Sequence, residues 1–176
     1  MTQTAAPPRS ARWQGMWQRI QPWISLAARL ILGGVLIVAG VLKVVQAPAD
    51  QVRAVRAYQL LPIGFDELVA YTLPVMEIIA GLALVVGLAT RLAAALGGLM
   101  MTAFIVGVSS AWARGLTIDC GCFGGGGEVA AGETAYAEEI VRDVGLVALA
   151  VWLLVFGAGR FALDKGSKTV RETRDE

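Results

Sequence analysis

The two cysteines of this chain lie one residue apart, within the segment Asp119-Cys120-Gly121-Cys122-Phe123-Gly124. A disulfide between them requires Cα atoms within about 4.4–6.8 Å of each other, which this spacing reaches only in a tight turn. Gly121 permits the backbone angles of such a turn. The ring would be strained, and exposed strained disulfides are readily reduced and typically catalytic or regulatory. The segment therefore predicts a redox-active pair; a structural clip and two incidental thiols are the alternatives.

Charged residues near the pair would tune the thiolate. Asp119 disfavours a thiolate by like-charge repulsion, whereas Arg114 or Arg142 would favour one if close. The N-terminal dipole of the helix expected after the loop would also favour it. Arg142 and Asp143 have two interpretations. They are either a helix start with a favourable acid, or groups beneath the cysteine loop that relay protons from the thiols.

Several other chemistries are disfavoured by composition. There is no histidine, the commonest metal ligand and general base. Two cysteines alone do not supply the four ligands of a structural zinc site, so no metal is expected. The Gly124–Gly127 run lacks the following Lys-Ser/Thr of a phosphate-binding loop. With a net charge of +1 and no basic stripe, the chain is not expected to bind nucleic acid.

The elements that must position the cysteines are apolar. Hydrophobic residues make up 56% of the 176 residues and charged residues only 16%, against roughly 25% in soluble domains. Mean hydropathy is +0.64. We therefore predict an all-α integral membrane four-helix bundle with water-exposed loops. Its predicted spans are about 24–46, 67–88, 92–113 and 139–159, within a membrane domain 24–159 that follows segment 1–23 and precedes a charged tail 160–176.

The orientation follows from where the basic residues lie. An apolar run from Ile24 to Val45 is too long for a signal-peptide core and long enough to cross a bilayer. Four spans put both termini on one side. Segment 1–23, the Thr90-Arg91 turn and the tail carry most of the Lys and Arg outside the spans, so the positive-inside rule predicts cytoplasmic termini. The cysteine loop is then extracytoplasmic, where thiols meet oxidising conditions.

Ionisable residues inside the spans form a second group of candidates. Glu77 lies near the middle of its span, where a charge is costly and marks a functional site by default. Lys43 either extends its amine to the membrane surface or pairs with Glu77. For Arg29 we expect the side chain to reach the surface. Glu77 and Lys43 are also the candidates for a quinone site.

The cysteine segment, the Gly40-Val41-Leu42-Lys43 end of the first span and the Pro74-Val75-Met76-Glu77 turn with Gly81 are similar to marks of one family. Over most of residues 24–158 the chain resembles the MauE family, methylamine-utilisation membrane proteins of the DoxX-like group. The resemblance implies a four-helix membrane bundle. It also implies a role in disulfide formation or electron transfer for an extracytoplasmic partner, usually with a thioredoxin-like protein.

The leading hypothesis is a thiol–disulfide redox protein of the bacterial cytoplasmic membrane. Cys120 and Cys122 would exchange electrons with an extracytoplasmic thioredoxin-like or dithiol partner, and a membrane quinone or a redox protein would be the other electron partner. A quinone is favoured because the chain has no second cysteine pair. The alternative is a non-enzymatic scaffold or assembly factor whose glycine-rich helix faces dock a partner. An oligomer or redox complex in the lipid is a further expectation.

Overall fold

The chain forms five helices and one short hairpin in a computed structural model that describes residues 9–62, 64–130 and 132–163. The helices are α1 Arg9–Val45, α2 Pro48–Ala57, α3 Phe65–Val86, α4 Thr90–Ala113 and α5 Tyr136–Phe156. The strands β1 Ile118–Asp119 and β2 Gly127–Glu128 pair antiparallel. The helical class is confirmed. The start of segment 1–23 and the tail from residue 164 lie outside the described residues.

Three helices are long and apolar enough to cross a membrane: Met16–Val45, Phe65–Val86 and Thr90–Ala113. The fourth predicted span is also helical, as α5, but acidic and basic residues occupy its first two turns. Its apolar part begins only after Asp143. The chain is a multi-pass membrane protein by these helices, while the count of four spans stays a prediction.

Helices α1 and α3 approach closely because glycines face each other across their contact. A Cβ on Gly81 would lie 2.7 Å from the carbonyl oxygen of Gly33, and one on Gly33 would lie 2.9 Å from that of Gly81. A Cβ on Gly40 would lie 2.7 Å from the carbonyl oxygen of Pro74. Small residues of this kind let helix backbones meet where lipid offers no hydrophobic driving force.

The core runs between α1, α3, α4 and α5. Its buried side chains alternate large aliphatic groups with alanines, so the helices interdigitate at short distances. It includes Leu32, Leu36, Leu84, Ala94, Ala150 and Leu153. Most other large apolar side chains of the helices point outward, as expected of surfaces that face lipid rather than water.

Arg29 does not reach the surface, so that expectation is wrong. Its side chain is 1% exposed and donates to the carbonyl oxygens of Ala158, Val85 and Phe161, at 3.0, 3.4 and 3.3 Å. The last carbonyls of a helix have no partner within it. Arg29 satisfies one such group at the end of α3, Val85, and two carbonyls in the segment that follows α5. These acceptors keep its side chain inside the bundle.

The first connection contains the short helix α2. Pro48 follows the end of α1 and starts α2 as its first residue, where its missing N–H costs nothing. Arg56 of this helix pairs with Asp66 and Glu67 in the first turn of α3, which fixes α2 across that end of the bundle.

We predict that Gly81→Ala destabilises the protein by about 1–3 kcal/mol, because the new methyl group would overpack the α1–α3 contact. Gly34→Ala is the matched control, since a Cβ there meets nothing within 4 Å. Thermal unfolding of the purified protein in detergent measures both. A Gly81→Ala variant as stable as Gly34→Ala would contradict the packing described above.

Candidate functional site

The cysteine segment is the turn of the small hairpin at one end of the bundle. Ile118 pairs with Glu128 and Asp119 with Gly127, so the cysteines lie in the connection between the strands. Asp119 stabilises this turn: its carboxylate accepts from Gly121 N at 3.4 Å and from Gly126 N at 3.1 Å. Gly121 has φ of 65°, a left-handed conformation that a side chain resists.

Both thiols are free and buried, with 8% of Cys120 and 4% of Cys122 exposed. An exposed loop was expected, and the difference has a packing reason. The hairpin folds back onto the bundle, where both cysteines join a cluster with Val108, Ala111, Ile118 and Tyr136.

The two cysteines interact directly in their reduced form. Cys122 N donates to Cys120 Sγ at 3.2 Å. The pKa of the Cys120 thiol is raised well above its ordinary value, first by its hydrogen bond with the Cys122 side chain and then by burial. Cys120 is therefore protonated at neutral pH, and a base must take its proton before it can react.

Lys43 pairs with Glu77 rather than extending to the membrane surface. Lys43 Nζ lies 2.6 Å from Glu77 Oε1, and it also donates to the carbonyl oxygen of Cys122 at 2.8 Å. Glu77 is fully buried and Lys43 is 8% exposed. One ammonium group thus connects α1, α3 and the cysteine loop.

Tyr58 holds the other cysteine and was missed by sequence reasoning. Its hydroxyl donates to the carbonyl oxygen of Cys120 at 2.8 Å. Burial raises the pKa of Tyr58, and negative charge on the two cysteines would raise it further, so the hydroxyl keeps its proton and stays a donor. Arg114 donates to the carbonyl oxygen of Tyr58, not to the thiols. No motif or spacing in the sequence links Tyr58 to the cysteine segment.

Arg142 and Asp143 lie in the second turn of α5, beneath the cysteine loop. Arg142 Nε donates to Asp143 Oδ1 at 2.9 Å, and the guanidinium lies 4.7 Å from the ring centroid of Phe123. Asp143 is 1% exposed. Of the two interpretations, the position under the loop fits this geometry; a proton relay stays a prediction.

Glu139, in the first turn of α5, was also missed. Its carboxylate, the Asp119 carboxylate and Cys120 Sγ all lie within 4.8 Å of one another. Glu139 is 8% exposed, and among the described residues its Oε2 has no hydrogen-bond partner. These three groups could together hold a divalent cation, one ligand short of a structural zinc site. The expectation of no metal stays a prediction.

A cavity of about 280 Å³ lies beside the pair, between the end of α1, α2, α3, α4 and the cysteine loop. Cys120 and Lys43 line it, whereas Glu77 does not. Most of the lining is apolar, contributed by Val55, Leu60, Leu61, Val69, Leu73 and Phe104. A small flat apolar molecule in this space would lie against Cys120 and Lys43.

One family model matches the chain, over residues 21–156, and its description is "Methylamine utilisation protein MauE". No curated protein and no solved structure gives a significant match. The matched range includes α3, α4, the hairpin, α5 and most of α1, and therefore every residue of the site described above.

We predict that Lys43→Met destabilises the protein by about 3–5 kcal/mol, because it leaves the Glu77 carboxylate buried without its partner. The double variant Lys43→Met/Glu77→Leu removes that buried charge and should recover most of the stability. Both variants lose the donor to Cys122 O, so alkylation of the thiols should be faster in both than in the wild type.

Thermal unfolding in detergent and the rate of thiol alkylation separate these two effects. Unchanged stability in Lys43→Met would contradict the buried pair. Wild-type alkylation rates in the double variant would contradict the role of Lys43 in holding the loop.

Proposed function

This chain belongs to the MauE family, and from that premise we propose that Cys120 and Cys122 exchange electrons with an extracytoplasmic thioredoxin-like or dithiol partner. The observation that carries the proposal is the arrangement of the pair. Two free thiols in one tight turn interact directly, while Lys43 and Tyr58 hold the backbone carbonyls beside them. A pair held in this way can close and open without rearranging the helices.

The chemistry is thiol–disulfide exchange. A thiolate of the partner attacks one sulfur of the Cys120–Cys122 disulfide, which gives a mixed disulfide and frees the other cysteine. The second partner thiolate then attacks the mixed disulfide, so the partner leaves oxidised and the pair is reduced. We propose this direction because a ring closed by cysteines one residue apart would be strained, and a strained disulfide is the more oxidising kind.

Proton transfer has a candidate next to Cys120. The Glu139 carboxylate lies within 4.8 Å of Cys120 Sγ and has an oxygen with no hydrogen-bond partner among the described residues. We assign it the proton that Cys120 gains when the pair is reduced and loses when the pair is reoxidised. Asp143 lies one turn further along the same helix and would extend this path, and Arg142 donates to its carboxylate and positions it. This is the proposed form of the relay that the sequence suggested.

Access by a partner requires the hairpin to move, because both thiols are buried. Four successive glycines, Gly124–Gly127, follow the pair, and each has a positive φ. They pack as bare backbone against the loop and α2: a Cβ on Gly126 would lie 2.6 Å from that of Ala54. Glycine has the greatest backbone freedom, so we propose that this run changes conformation to expose the thiols.

The setting that we propose is the cytoplasmic membrane of a bacterium, with both termini inside and the cysteine loop outside. The distribution of Lys and Arg along the chain supports this orientation. The family description supports a part in methylamine utilisation. We propose that this part is the maturation of disulfides in an extracytoplasmic protein. The other electron partner is a membrane quinone or a neighbouring redox protein.

A scaffold role has less support. The glycines that would supply its docking surface, Gly33, Gly40 and Gly81, are used within the chain, in the contact between α1 and α3. Substituting them would disturb this fold before it disturbed any complex.

We predict that the reduced wild-type protein releases two aromatic thiolates from Ellman's reagent and retains no adduct. The first thiol forms a mixed disulfide, and the second resolves it to give Cys120–Cys122. Cys120→Ala and Cys122→Ala should each release one thiolate and retain one adduct. Absorbance measures the released thiolate, and intact mass measures the retained adduct.

The double variant Cys120→Ala/Cys122→Ala is the control and should not react. Two retained adducts on the wild type would show that neither thiol displaces the other's adduct. The cysteines would then be two incidental thiols, and the redox proposal would be wrong. With a purified thioredoxin-like partner in its disulfide form in place of the reagent, the remaining thiol of each single variant attacks the partner's disulfide. Each single variant should therefore trap a mixed disulfide that the double variant cannot form.

A further inference from the structure

We propose that the cavity beside Cys120 binds the ring of a membrane quinone, which accepts the electrons of the reduced Cys120–Cys122 pair. The inference rests on the proposed function, because it names the electron acceptor for the same two thiols. The sequence suggested Glu77 and Lys43 as quinone-site residues; Lys43 lines this cavity, and Glu77 lies behind it.

The dimensions of the cavity fit a ring rather than a whole lipid. Its volume of about 280 Å³ lies near the lower end of the roughly 300–1,000 Å³ typical of ligand pockets. Leu60 and Leu61 line it and are 51% and 44% exposed, so the space opens to the outside of the bundle there. A ring can occupy the cavity while its apolar tail extends through this opening.

The lining supplies an apolar slot with a single cation at its wall. Phe104 and Tyr58 contribute aromatic surface, and Lys43 Nζ lies 5.2 Å from the Phe104 ring centroid. An ammonium group has three N–H donors. Lys43 gives one to Glu77 and one to Cys122 O, so the third can donate to a ring carbonyl oxygen. An acyl chain would leave this donor unsatisfied.

Redox stoichiometry points to the same class of molecule. The chain has only two cysteines, so electrons leaving this pair cannot pass to a second dithiol within it. Closing the pair breaks two S–H bonds, forms one S–S bond and releases two electrons and two protons. A quinone takes up both electrons and both protons and becomes a quinol, so the exchange balances without another reactant.

The test is anaerobic reduction of a short-tailed ubiquinone analogue by the reduced protein in detergent. All ring carbons of this analogue are substituted, so a thiol cannot add to it irreversibly. One quinol should form for each protein molecule, with Cys120–Cys122 oxidised in step. Ala103→Phe should slow quinol formation at least tenfold, because Ala103 is an exposed residue on the cavity wall.

Val106→Phe is the matched control, since Val106 lies on the same helix, is 62% exposed and does not line the cavity. It should reduce the quinone at the wild-type rate. Equal rates in the two phenylalanine variants would overturn the site. So would a wild-type protein that closes its disulfide with Ellman's reagent yet reduces no quinone, which would leave the proposed function standing. A protein that does neither would sink both.

Discussion

The buried ion pair between Lys43 and Glu77 is the interaction on which the rest of the site depends. A charge within a membrane span is costly, and a buried pair repays its desolvation only when geometry and further hydrogen bonds are good. Here the ammonium group meets a carboxylate at 2.6 Å and a backbone carbonyl at 2.8 Å. That carbonyl belongs to Cys122, so two helices and the hairpin share one cation. The pair therefore couples the packing of the bundle to the position of the thiols.

Close helix packing is what allows the ion pair to form. Gly40 lies one turn before Lys43 on α1, and a Cβ there would lie 3.2 Å from the Glu77 Cβ. Without a side chain at this position the backbones of α1 and α3 come near enough for the lysine to reach the carboxylate. Arg29 is the buried cation at the opposite end of the bundle, where it donates to backbone carbonyls near the ends of α3 and α5. Buried cations thus stabilise both ends of a contact made largely of small residues.

The features of the fold and of the site that depend on composition and local pattern could be predicted from the sequence. Long apolar runs gave the helices, and the unusual spacing of Cys120 and Cys122 identified the candidate pair. Pairing of Lys43 with Glu77 was one of two alternatives that the sequence left open, because lipid leaves a charge few partners. The structure has the pair. What could not be predicted depends on how the loop folds back: the burial of the thiols, the donor from Tyr58, and the carboxylate of Glu139 beside Cys120. These contacts join residues far apart in the chain, and no local pattern records them.

The proposed role of the buried turn is that of a redox-active dithiol and not of a structural disulfide. Equilibrating the purified protein with thiol–disulfide buffers of graded potential, followed by acid quench and mass spectrometry, measures the Cys120–Cys122 bond directly. The account predicts a reversible two-electron couple with a potential above about −300 mV, the value below which structural disulfides usually lie. Thiols that stay reduced throughout, or a bond that resists reduction as a structural bridge does, would contradict it.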